Sequence, residues 1–135
     1  MKSAEKSVRP AMKVSKRNIM IYRVLLIMAA IIIIYVAATP RKISVVGNIN
    51  DKVNHILAFY LLALLLDFSF PASAFRATKM LLLIGYAVAV EIVQHFLSYR
   101  TFSLFDLGAD AFALVVYRLS LPYLKLVPLF RKRWE

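Results

Sequence analysis

Residues 19–38 read IMIYRVLLIMAAIIIIYVAA, an apolar run broken only by Arg23. About 20 such residues span the hydrocarbon of a bilayer as a helix. Backbone groups find no water partner inside lipid, so even the β-branched stretch Ile31–Ile34 is expected to be helical. Arg23 lies near the start of the run, where its stem reaches the headgroups. A signal peptide is the competing reading, because a basic segment precedes the run. The apolar region of a signal peptide is usually about 7–15 residues, shorter than this one. An uncleaved first span is therefore expected.

The same pattern recurs along the chain. A loop with Pro40, Arg41, Lys42 and Gly47 leads to a second apolar block, 53–70, containing His55 and the leucine-rich stretch Leu61–Leu66. Asp67 to Thr78, with Pro71 and Arg76, reads as a turn. A third block, 79–98, carries Glu91, Gln94 and His95. A short connector with Arg100 follows. The fourth block, 104–121, is the weakest span because it holds Asp106, Asp110 and Arg118. Ser103-Leu104-Phe105-Asp106 resembles a capping box and starts that helix. Pro122 is expected to stop it.

Composition agrees. The chain has 135 residues, of which 61% are hydrophobic, above the half or so of a soluble domain. It has no cysteine, which excludes disulfide and thiolate chemistry. The net charge of +11 invites a nucleic-acid reading. The basic residues instead flank the apolar blocks, as topology signals and contacts with anionic headgroups do, so no nucleic-acid partner is expected. With the N-terminus in the cytoplasm, that side holds Lys2, Lys6, Arg9, Lys13, Lys16, Arg17, Arg76, Lys79, Lys125, Arg131, Lys132 and Arg133. The other side holds Arg41, Lys42, Lys52 and Arg100. The expected fold is all-α: a four-helix transmembrane bundle over residues 19–121, both termini cytoplasmic. Basic tails, 1–18 and 122–135, flank it.

This topology brings polar residues from three helices to the outer half of the membrane. Asp51 and Lys52 open the second helix and share a face with His55, one turn deeper. At about 1.5 Å per residue, Glu91 lies about 18 Å along a hydrocarbon core about 30 Å thick. Gln94 and His95 lie beyond it, and Arg100 reaches the interface. Asp106 starts the fourth helix, with Asp110 one turn deeper on the same face. Charge inside a bilayer normally turns inward and pairs. The expected pairs are Glu91 or Asp106 with Arg100, and Asp51 or Glu91 with His55. Bland readings exist for most of these residues. Asp51 and Lys52 fit a solvated helix end, Asp106 suits a helix dipole, His95 suits an interface, and Arg100 suits a headgroup anchor. Glu91 is the hardest to set aside, because the uncharged run Met80–Val90 precedes it. His55, Glu91 and Asp106 or Asp51 have the ligand types for a divalent ion. No paired-histidine spacing is present and arginine is nearby, so no metal or cofactor is assigned.

Asp51-Lys52-Val53-Asn54-His55, Glu91-Ile92-Val93-Gln94, and Arg100 followed by Ser103 and Asp106 resemble, in this order, the D-K-x-x-H, E-x-x-Q and R-x-x-S-x-x-D motifs of the VanZ-like family of small bacterial membrane proteins. The resemblance covers about residues 51–117. Asp110 stands where the family often has asparagine, and Ala113 where a glycine is often found. The resemblance implies a four-helix membrane bundle in the bacterial cytoplasmic membrane. The family takes its name from a member linked to reduced glycopeptide sensitivity.

Three functions fit these residues. In the first, Asp51, Lys52, His55, Glu91, Gln94, Arg100, Ser103 and Asp106 form an outward pocket for a membrane lipid or a lipid-linked envelope precursor. In the second, the chain is a membrane enzyme with Glu91 and His55 as general base and acid. No nucleophile elbow or phosphate loop names a reaction for it. In the third, the role is structural: buried ion pairs only fix helix register, or the chain is an assembly partner.

Overall fold

The computed structural model describes residues 14–40, 51–99 and 101–134, with Asp51 described by its backbone alone. Regular structure in these residues is entirely helical. Four long helices follow in order: α1 (Lys16–Ala38), α2 (Asp51–Ser69), α3 (Ala77–His95) and α4 (Leu104–Leu124). A single turn, α5 (Pro128–Arg131), closes the described chain. Three of them, α1, α2 and α3, are long and apolar enough to cross a membrane. The fourth, α4, carries Asp106, Asp110 and Arg118 and is not among the three.

Helix ends follow local chemistry more closely than the apolar blocks do. Ser15 caps α1, its Oγ accepting from the Asn18 N–H at 3.2 Å, so the helix starts three residues before the apolar run. Ser103 caps α4 as expected, accepting from the Asp106 N–H at 3.3 Å. Pro122 does not stop α4, contrary to expectation. Proline removes one donor, which matters little in a last turn, and the Lys125 N–H still reaches the Leu121 carbonyl at 3.0 Å. The third block breaks at His95 rather than Ser98, and α3 begins earlier, at Ala77.

Cross-helix hydrogen bonds set the directions. Arg23 Nε donates to the Ser69 carbonyl, so the start of α1 meets the end of α2. Tyr86 donates to Ala30 and Gln94 to Ala37, so α1 and α3 run together. His55 meets Asp110 and Tyr60 meets Ser120, so α2 and α4 run together, opposite to the first pair. The core is Phe59, Leu62, Ala63 and Leu66 of α2 against Ala113, Leu114 and Tyr117 of α4, with Leu83 and Ala87 of α3. Ala113, at the position where the resembled family often has glycine, is fully buried, and its methyl group fits the α2–α4 contact. Helix α1 buries no residue and exposes Met20, Ile27, Ile31 and Tyr35. So much apolar surface is at odds with water and suits lipid.

One end of the helices is locked by a carboxylate that was expected in a turn. Asp67 belongs to α2 and is 0% exposed. Its Oδ1 accepts from Lys79 Nζ and from Arg133 Nη2, both at 2.8 Å, and its Oδ2 accepts from Tyr117 Oη at 2.9 Å. Lys79 also donates to the Phe70 and Ser73 carbonyls, which uses its three N–H groups. Arg133 donates further to the carbonyls of Asp67, Pro71 and Ser73. Around this site Phe68 packs edge-on against Tyr22, Phe130 and Trp134. The segment expected as a basic C-terminal tail is docked through to Trp134, because Arg133 supplies the second cation that Asp67 holds. Removing one partner of a buried charge cluster strands the others. Asp67→Ala is therefore expected to lower unfolding free energy by about 3–5 kcal/mol in detergent titrations. Tyr117→Phe, which removes one hydrogen bond to the carboxylate, should cost about 1.5–3 kcal/mol.

Candidate functional site

The opposite end gathers the last turns of α1 and α3 with the first turns of α2 and α4. Two of its polar side chains serve helix ends. Gln94 Nε2 donates to the Ala37 carbonyl at 3.2 Å, and the Tyr99 hydroxyl donates to the Ala38 carbonyl. These are among the last carbonyls of α1, which have no partner within their own helix. Gln94, expected in the ligand-binding cluster, is thus spent on tying α3 to α1.

The remaining residues form a relay from surface to interior. Lys52, its side chain 45% exposed, lies 3.7 Å from Asp106 Oδ1 and over the Phe105 ring. The Asp106 N–H donates to Ser103 Oγ, and the Ser103 N–H donates to Glu91 Oε2 at 3.1 Å. Glu91 is 1% exposed, and its other oxygen, Oε1, is buried with no hydrogen-bond partner. His55 sits between two carboxylates, with Nδ1 at 2.9 Å from Asp110 Oδ1 and Nε2 at 3.9 Å from Asp106 Oδ2. Residues of α2, α3 and α4 therefore meet at this end. His55 takes Asp110 and Asp106 rather than Glu91, because the α2–α4 packing puts it level with that stretch of α4. Asp106 takes Lys52. Arg100 lies outside the described residues, as does the side chain of Asp51, so the pairs expected for them do too. His95 faces outward, its ring edge-on to Phe96 and Phe102, as an interfacial residue would be.

Two members were missing from the expected cluster. Asp110 is 2% exposed and holds His55, and its four-residue spacing from Asp106 was the signal for it. Asn54 has a buried Oδ1 without a hydrogen-bond partner, and nothing in its sequence context marks it. Among the described residues no group of three or more His, Asp or Glu could hold a metal ion.

No protein-family model matches the chain, and no solved structure matches it. The chain is similar to an uncharacterized protein of Schizosaccharomyces pombe (strain 972), 38% identical over 100 residues. The match covers 72% of this chain and 57% of the relative, so the chain spans little more than half of that protein's length.

The His55–Asp110 contact makes a direct prediction. In a double-mutant cycle with alanine at each position, unfolding free energies should show a coupling of about 1–3 kcal/mol. Additive losses would place the two side chains apart.

Proposed function

We propose that this chain is a VanZ-like integral membrane protein whose polar pocket, in the outer half of the bilayer, binds the polar head of a lipid or lipid-linked group. In this reading α4 is the fourth span of a transmembrane bundle with both termini in the cytoplasm. Its 21 residues match the other spans in length. Its charges are turned toward partners: Asp106 and Asp110 to Lys52 and His55, and Arg118 to the Phe75 carbonyl. Arg23, Lys79 and Arg133 gather at the other end, as the positive-inside rule would have it for a cytoplasmic face.

The observation that carries the binding reading is the contrast between the two ends. At Asp67 both carboxylate oxygens and all three Lys79 donors are used, as suits a structural clamp. At Glu91 a carboxylate just as deeply buried keeps one oxygen without a partner. Leaving a buried polar group without a partner is costly, and a site that binds a ligand is where such a cost is tolerated. The third reading, buried pairs that hold helix register, fits the Asp67 end. For the acid–base reading, the hydrogen bonds of the two residues run to Ser103 from Glu91 and to Asp110 from His55. The bacterial membrane and glycopeptide sensitivity come with the resemblance alone, and a relative in a fungus lends them no weight. The proposed pocket and its headgroup chemistry do not depend on them.

Mass spectrometry of lipid retained through purification tests this. Glu91→Gln should reach near-normal protein level and lose retained lipid at least about tenfold, which corresponds to about 1.4 kcal/mol. Asp67→Asn should do the reverse, lowering protein level while the lipid held per molecule stays constant. Retained lipid unchanged in Glu91→Gln would refute the pocket.

A further inference from the structure

Two buried oxygens at this end accept hydrogen bonds and receive none: Glu91 Oε1 and Asn54 Oδ1. They lie at one level. Phe59 of α2 faces Tyr86 of α3 with ring centroids 6.0 Å apart, and the two helices are antiparallel. Five residues back along α2 is Asn54, and five onward along α3 is Glu91. The charge around them has the same character. Three carboxylates, Glu91, Asp106 and Asp110, are gathered here through Ser103 and His55. Among the described residues this end therefore offers carboxylate and amide oxygens as acceptors, with Lys52 exposed beside Asp106.

Headgroups divide sharply on this pattern. A phosphate brought to Glu91 would meet a carboxylate, whereas at the rim it would meet Lys52. A primary ammonium carries positive charge and three N–H donors with no acceptor, which is the complement of the interior. A quaternary ammonium has the charge but no N–H. A glycerol head has hydroxyl donors but no positive charge. We propose that the pocket selects a phospholipid head bearing a primary ammonium, seated with its phosphate toward Lys52 and its N–H donated to Glu91 Oε1. This rests on the headgroup-binding reading above and names the class of head.

The test compares three short-chain lipids with identical acyl chains, added to the purified full-length protein in detergent while thermal unfolding is followed. The heads are phosphatidylethanolamine, phosphatidylcholine and phosphatidylglycerol. Phosphatidylethanolamine should raise the midpoint by about 5 °C, and the other two by much less. In Glu91→Gln that advantage should vanish. The Ser103 N–H would retain the side-chain oxygen, turning the amide N–H groups toward the pocket, where donor would face donor. Equal stabilisation by phosphatidylcholine, or a larger effect of phosphatidylglycerol, would overturn the ammonium assignment and leave the pocket intact. Stabilisation by none of the three would overturn both and assign Glu91 Oε1 to a buried water. The comparison on the unaltered protein decides between these outcomes even where Glu91→Gln does not fold.

Discussion

In hydrocarbon a polar group has no solvent to fall back on, so each one must find a partner inside the protein or be held for something that arrives. That constraint organises this molecule. The helices satisfy their own backbones, and the side chains at their ends then take up the carbonyls that remain. Gln94 and Tyr99 do this for the last turn of α1. Lys79 and Arg133 do it for the last turn of α2 and the α2–α3 connector, where the carbonyls of Asp67, Phe70, Pro71 and Ser73 receive their donors. The Asp67 carboxylate then balances the two cations, and the C-terminal segment is fastened to α2 as a consequence.

The same constraint makes α4 depend on its partners. A helix bearing Asp106, Asp110 and Arg118 is unfavourable in lipid unless those groups face inward. They do so because α2 offers Lys52 and His55 on the contacting face and the connector offers the Phe75 carbonyl. Helix α1 is the opposite case. It packs Leu26, Ala29, Ala30 and Ile33 against the core but buries no residue fully, and most of its apolar surface faces outward. The polar end at Glu91 and the membrane location of α4 are thus one proposition.

Much of this was legible in the sequence, and the rest was hidden for definite reasons. Apolar run length gave three helices, and the Ser103 capping pattern fixed the start of α4 to the residue. Glu91 stood out because the run before it is uncharged. The Asp67 clamp was not legible. Pro71 nearby made Asp67 read as part of a turn, and Arg133 lies 66 residues away in a cluster of like residues that marks any cytoplasmic tail. The partner of His55 was hidden for a subtler reason. Asp106 and Asp110 share a helix face, so spacing alone cannot say which one is level with His55. The packing of Phe59, Leu62 and Ala63 against Ala113, Leu114 and Tyr117 sets that level, and packing register is not written in composition.

The central claim is that the Glu91 end and the Asp67 end lie on opposite sides of one membrane, with α4 crossing between them. Because the chain has no cysteine, single substitutions report sidedness cleanly. Thr101→Cys and Lys132→Cys replace exposed residues at the two ends. With a membrane-impermeant maleimide on intact cells, Thr101→Cys should be labelled at once, and Lys132→Cys only after permeabilisation. Labelling of both from the same side would contradict the account, because α4 would then not cross and its charges would not be buried in lipid.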